Sequence, residues 1–158
     1  MLHLVRGISG SGKSTLAATL AIETGLLRFE ADQYFIEDGQ YRFDPTRLGY
    51  VHGCCINDAD NAMRYNGGAI VSNTFTTWRE IKPYVKLAEG YGMMVSIVEP
   101  KTPWAKDPVE CFNKNKHNVP LPAIKAQYAR WLNVPIGTYE PKALLEKYDV
   151  QNTAPKAH

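Results

Sequence analysis

The chain is short of several features that would narrow its function at once. It holds three cysteines, Cys54 and Cys55 side by side and Cys111 far from both. That count and spacing supply neither a disulfide framework nor the paired ligands of a zinc site. They read as small apolar residues in a reducing compartment. No apolar run approaches the ~20 residues of a bilayer-spanning helix, so no membrane partner is expected. The first residues run from a short apolar stretch straight into glycines, which is not the order of a signal peptide, and a cytoplasmic location is expected. Charge of one sign is missing too. With a net charge of +2, any contact with nucleic acid would have to be a local patch and not a global field. Repeats, low-complexity tracts and linkers are also missing. A chain of 158 residues, 44% hydrophobic and 22% charged, therefore suits one globular domain, expected over residues 1–150 with a flexible tail at 151–158.

What is present begins at Leu2, where the sequence reads LHLVRGISGSGKST. A strand-like run enters a glycine-rich turn that matches G-x-x-x-x-G-K-[ST], the loop that cradles phosphates. Gly7, Gly10 and Gly12 let the backbone turn tightly and present successive N–H groups to an anion. The helix that follows adds the partial positive charge of its N-terminus. In this pattern Lys13 reaches the β- and γ-phosphates and the Ser14 hydroxyl is the magnesium ligand. The nucleotide-binding set is then Gly7, Ser9, Gly10, Ser11, Gly12, Lys13, Ser14 and Thr15, the last read mainly as support for the first helical turn. A nucleoside triphosphate, ATP with Mg²⁺, is the expected cofactor.

The rest of the chain alternates strand and helix patterns. Helices are predicted over 14–24, from Pro45 to about Tyr65, from the capping box Thr77-x-x-Glu80 to about Tyr91, at 107–115, at 121–132 and at 141–148. Pro83 should bend the Thr77–Tyr91 helix or delay its start. Strands are predicted at 2–6, 26–31, 69–73 and 93–99, with 33–44 as a surface loop. This alternation implies βαβ units. The expected fold is a three-layer α/β/α phosphate-loop NTPase with a parallel sheet of four or five strands and a small helical lid.

A switch GTPase or ATPase typically carries a metal-binding Asp at a strand end, but the 69–73 strand ends in Ser72-Asn73. The acid instead follows the second strand, at Asp32 in FEADQYF. If that strand neighbours the first, Asp32 lies near the γ-phosphate. It could act there as a general base, as an outer-sphere magnesium ligand, or as a turn residue bonding its own backbone. Glu30 is the competing acid. The segment CFNKNKHNVP holds Lys114, Lys116 and His117 and reads either as a mobile lid over the phosphates or as a solvated helix end.

Taken together, GISGSGKST, FEADQYF, the stretch from Ala69 to Pro100 and NKNKHNVP resemble a group of small phosphate-loop kinases. The group includes the kinase domain of phage polynucleotide 5′-hydroxyl kinases, with AAA-type ATP-binding and zeta-toxin-like proteins in its neighbourhood. The resemblance covers residues 2 to 132. It implies that Asp32 is the general base activating the acceptor hydroxyl, and that Lys114, Lys116 and His117 contact the ATP phosphates. If the chain is phage-encoded, it implies the host cytoplasm. Two departures stand out. The phage kinases carry an arginine three residues after the catalytic acid where this chain has Phe35, and an acid at the strand end where it has Asn73. Phe35, Arg42, Thr74 and Arg79 are the candidate acceptor contacts, with Tyr34, Tyr41, Thr76 and Trp78 beside them. The favoured activity is ATP-dependent transfer to the 5′-hydroxyl of DNA or RNA. The alternatives are a kinase for a nucleoside or other small molecule, and a nucleotide-dependent binding module or switch.

Overall fold

The computed structural model describes residues 1–153. Its strands in chain order are β1 (Leu2–Arg6), β2 (Arg28–Phe29), β3 (Ile36–Glu37), β4 (Gln40–Tyr41), β5 (Ala69–Asn73), β6 (Val95–Val98) and β7 (Gly137–Tyr139). Its α-helices are α1 (Lys13–Thr24), α2 (Leu48–Asn66), α3 (Trp78–Tyr91), α4 (Pro108–Lys114), α5 (Leu121–Ala129) and α6 (Pro141–Thr153). Five strands form one sheet in the order β2-β5-β1-β6-β7, with β1 at its centre.

Side chains alternate across a strand, and that alternation divides the core. Leu2 and Leu4 point to one face and join Cys55 and Met63 of α2, Ile81 and Val85 of α3, and Leu144 of α6. Val5 points to the other face and packs with Ala17 of α1 and Ile70 of β5. Burying each such side chain is worth about 1.5–3 kcal/mol, so β1 could not slip by one residue without exchanging its two sets of partners. Helices on both faces of a mostly parallel sheet make the three layers expected from the sequence.

β1, β2, β5 and β6 run parallel, but β7 pairs antiparallel with β6. That edge strand is three residues long and carries no alternating pattern, which is why no strand is predicted there. The predicted 26–31 strand shortens to Arg28–Phe29, because it is an edge paired on one side only, to Ile70 and Val71. Ala31–Phe35 coils into a 3₁₀ turn. The predicted 33–44 loop then holds a hairpin, β3–β4, closed by Asp38 and Gly39 at φ 52° and 77°. An Asp-Gly pair with both φ positive is the usual two-residue hairpin turn, but its flanking strands are too short to show periodicity.

Asp44 caps the 3₁₀ turn at Pro45–Arg47, its carboxylate accepting from the Thr46 N–H, and α2 begins one turn later than the Pro45 start. The capping box of α3 forms as predicted, with the Glu80 carboxylate accepting from the Thr77 N–H. Pro83 does not delay that helix, which starts at Trp78. The last helix continues to Thr153, so residues 151–153 of the expected tail are helical, and 154–158 lie outside the described residues.

Candidate active site

The loop from Gly7 to Gly12 joins β1 to α1 at the carboxyl end of the sheet. Gly10 and Gly12 sit at φ 86° and 106°, where a side chain is strained. Gly10 also leaves no room for one, since an added Cβ would lie 2.0 Å from the Cys111 carbonyl oxygen. The loop is braced from the α4–α5 side. The Trp104 indole N–H donates to the Gly10 carbonyl at 3.2 Å and the Thr102 hydroxyl to the Ser11 carbonyl at 2.8 Å. The Gln127 amide accepts from the Ser9 N–H at 2.9 Å and reaches the Ser9 hydroxyl at 3.1 Å. A small cluster of Ile8, Cys111 and Ile124 fills the gap between loop and helices. The first turn of α1 holds no acid to oppose a phosphate.

Lys13 folds back and donates to the Ile8 carbonyl at 3.1 Å. Its ammonium has lost most of its water, and this desolvation pulls its pKa down to about 8 against the pull of Asp32 and then Glu30. Ser14 stands exposed beside it, and its hydroxyl donates to Glu30 Oε2 at 3.2 Å. Arg28 donates to the Ser14 carbonyl at 3.1 Å. Glu30 Oε1 is buried and lacks a hydrogen-bond partner. Thr15 is exposed, and its carbonyl accepts from the Thr19 hydroxyl.

Asp32 reaches this space by a different route from the one the sequence suggested. β2 does not neighbour β1, because β5 lies between them. The 3₁₀ turn after β2 carries Asp32 instead, with its side chain exposed. Asn73 at the end of β5 fastens the turn, its side-chain carbonyl accepting from the Ala31 N–H at 2.8 Å. Where an acid was absent from the sequence, the structure shows a strut.

His117 faces Asp32 and Tyr41. Its Nε2 is 4.0 Å from Asp32 Oδ2, and its ring stacks on Tyr41 with centroids 4.2 Å apart. Tyr41 in turn donates a long hydrogen bond to Asp32 Oδ1, 3.4 Å. Burial and the Asp32 charge push the Tyr41 phenol up to about 12. Lys114 sits with its ammonium 4.1 Å from the Trp104 ring centroid, above the indole that braces Gly10. Lys116 is exposed in the loop that follows.

The acceptor candidates divide. Phe35 is 1% exposed, packed with Ala31 and Val51 and against Phe43, so it serves the core and not a surface. Trp78 is buried against Tyr148 with its indole N–H bonded to Asp149, and Tyr34 bonds Asp58 of α2. Thr76 is buried, bonded to Glu80 and Arg130. Arg42 and Arg79 are exposed and Thr74 half-buried. The sequence pattern missed the contacts of Tyr41 and Glu30. The Asp38-Gly39 turn could have signalled the first, since a hairpin there returns Tyr41 to the turn that holds Asp32.

Among the described residues no group of three or more His, Cys, Asp or Glu side chains forms a metal cage, and no helix is long and apolar enough to cross a membrane. Magnesium nonetheless fits the donor chemistry here. It is a hard cation that takes few protein oxygens and completes its shell with phosphates and water, and Ser14 offers one hydroxyl beside a carboxylate.

Comparison with known proteins follows the same lines. A family model described as "AAA domain" matches residues 2–130, and the chain belongs to that family. It is 37% identical over 142 residues to human NEDD4-binding protein 2, covering 86% of this chain and 8% of that protein. It is 30% identical over 134 residues to the 2′,3′-cyclic-nucleotide 3′-phosphodiesterase of Rattus norvegicus, covering 78% of this chain and 29% of the enzyme. The chain thus spans less than a third of either relative. In a Pnkp1/Rnl/Hen1 RNA repair complex, one chain matches with a TM-score of 0.62 at 19% identity, over 82% of this chain and 43% of that one. A sugar kinase from Janibacter sp. HTCC2649 matches with a TM-score of 0.57 at 22% identity, over 99% and 98%. The fold is that of the phosphate-loop kinases.

Proposed function

We propose that this member of the AAA-domain family is an ATP-dependent kinase that transfers the γ-phosphoryl group to a hydroxyl, with the 5′-hydroxyl of DNA or RNA as the favoured acceptor. The observation that carries the reading is the convergence of Asp32 and Lys13. They lie in segments that follow two strands separated by β5, yet Asp32 is the foremost charge acting on the Lys13 ammonium. A carboxylate beside the phosphate-gripping lysine suits transfer, where an attacking hydroxyl must lose its proton.

In this scheme the loop N–H groups of Gly10, Gly12, Lys13 and Ser14 and the Lys13 ammonium hold the β- and γ-phosphates, while the Ser9 and Ser11 N–H groups brace the loop through Gln127 and the Ile8 carbonyl. Ser14 would hold the magnesium ion, which neutralises phosphate charge when bound. The acceptor oxygen attacks the γ-phosphorus as the bond to the β-bridging oxygen breaks. Its proton passes to Asp32, and ADP departs. Tyr41 and His117 flank the carboxylate and limit its rotation. Lys114 and Lys116 supply cations from the α4 end once the lid segment closes on nucleotide.

The test separates binding from transfer. An Asp32→Asn variant should bind ATP within about twofold of the parent and lose ~10²–10⁴ in transfer rate. Near-normal turnover by that variant would remove Asp32 from the role.

A small-molecule acceptor is the second reading, favoured by the burial of Phe35 at the place where an acceptor-gripping arginine is absent. Ionic strength discriminates between the two. A polynucleotide acceptor loses affinity steeply as salt rises, because each phosphate contact releases a counterion. A neutral nucleoside or sugar does not.

A further inference from the structure

We propose that Glu30 is the acid of the magnesium site, holding the metal's water shell against Ser14 in place of the carboxylate missing from the end of β5. The inference rests on the kinase reading for its metal and nucleotide, and on this chain's own geometry for the residue.

The Ser14 hydroxyl donates its proton to Glu30 Oε2 at 3.2 Å. A serine hydroxyl has one proton and two lone pairs, so this bond turns the lone pairs away from the carboxylate and leaves them for a cation. Glu30 Oε1 is buried with no hydrogen-bond partner. A carboxylate oxygen in that state is costly; Oε2, at the exposed contact with Ser14, is the oxygen that water molecules on a bound Mg²⁺ would reach. Magnesium sheds its waters reluctantly and is commonly held through them, so a carboxylate one shell out suits this ion.

The surrounding residues fix Glu30 for the task. Arg28, two residues earlier, donates to the Ser14 carbonyl at 3.1 Å and ties β2 to the start of α1. Asn73 accepts from the Ala31 N–H at 2.8 Å, which anchors the backbone just after Glu30. Asn73 thus occupies the strand end with an amide, while Glu30 brings the negative charge from the neighbouring strand. Asp32 remains available for the acceptor, next to Tyr41 and His117. The two acids of FEADQYF divide the work between metal and base.

The experiment measures ADP binding to the full chain by calorimetry, with and without MgCl₂, and needs neither acceptor nor turnover. Glu30→Gln is close to isosteric and its amide oxygen can still accept from Ser14, so the fold should survive, as a melting curve will show. In the parent, Mg²⁺ should tighten ADP. In Glu30→Gln that gain should shrink by ~10–100-fold, the usual loss for an outer-shell partner of a metal. Magnesium-free ADP affinity should be unchanged or tighter, since a charge that repels phosphate has gone. This opposite response with and without metal is one that a purely structural role would not give. An undiminished magnesium gain in Glu30→Gln overturns the proposal, as does a parent that gains nothing from Mg²⁺. If Asp32→Asn loses the magnesium gain instead, the metal role belongs to Asp32. Loss of transfer in Asp32→Asn concerns the kinase reading and leaves this result standing.

Discussion

The nucleotide side and the proposed acceptor side of the site are held by different kinds of contact. On the nucleotide side, Ser9, Gly10 and Ser11 are each hydrogen-bonded to a side chain from the α4–α5 region or the loop before it, at 2.8–3.2 Å. A buried cluster around Cys111 backs them. On the acceptor side, Asp32 sits in a 3₁₀ turn beside a hairpin of two-residue strands. Its neighbours are a ring stack, a 3.4 Å hydrogen bond and a 4.0 Å approach of the His117 imidazole. The contrast teaches where specificity can change. A loop pinned to side chains at three successive residues is preorganised for one anion, and preorganisation is what makes such electrostatics effective. On the proposed kinase reading, a carboxylate edged by two aromatic rings would accommodate different acceptors by re-aiming those rings.

The contrast can be broken from either side. The largest effect is expected from Gly10→Ala. Its methyl would meet the Cys111 carbonyl at 2.0 Å in a backbone with φ 86°, and positions like this cost about 1–3 kcal/mol before any clash is counted. Denaturant unfolding should show a loss of at least about 2 kcal/mol, with nucleotide affinity falling in parallel. An unchanged midpoint would mean that the brace on the loop is soft.

A smaller effect separates charge from packing. Lys13 has its pKa lowered to about 8 by desolvation in the nucleotide-free chain, so it is cationic below that pH and progressively neutral above it. Phosphate affinity should therefore fall as pH rises, by up to about tenfold between pH 7 and 9. In Lys13→Arg, whose guanidinium stays charged, that fall should vanish even if the absolute affinity is poorer. Calorimetry across the range reads both. The smallest effect belongs to the acceptor side. Tyr41→Phe keeps the ring and removes the hydroxyl that faces Asp32, and should slow transfer by about three- to tenfold. Its melting temperature should stay within about 2 °C of the parent, since an exposed, long hydrogen bond adds little to stability. With its pKa raised to about 12, the Tyr41 hydroxyl stays a donor through neutral pH, so this loss should not vary between pH 6 and 9.

The nucleotide side was legible in the sequence because its signal is local. The glycines, Lys13 and Ser14 lie within eight residues, with a strand before them and a helix after. The acceptor side depends on strand order, which periodicity does not report. Asp32 could be singled out as an acid after a strand, but the order β2-β5-β1 and the role of Asn73 as a strut could not. Phe35 looked like an acceptor contact because it stands where a related arginine would, and its burial against Val51 emerges only when α2 packs. In the sequence Glu30 is only a rival to Asp32. What distinguishes the two is that one reaches Ser14 and the other reaches Tyr41, a division set by the 3₁₀ turn that begins between them at Ala31.

The central claim is transfer to a hydroxyl, and one measurement meets it directly. The full chain is incubated with Mg²⁺ and γ-labelled ATP in the presence of 5′-hydroxyl DNA, 5′-hydroxyl RNA, nucleosides and simple sugars, each in its own reaction. Label should appear on a hydroxyl acceptor faster than it appears as inorganic phosphate, and most readily on the 5′ end of DNA or RNA. Label recovered only as inorganic phosphate, at one rate whatever acceptor is present, would contradict the account and make the chain a nucleotide hydrolase.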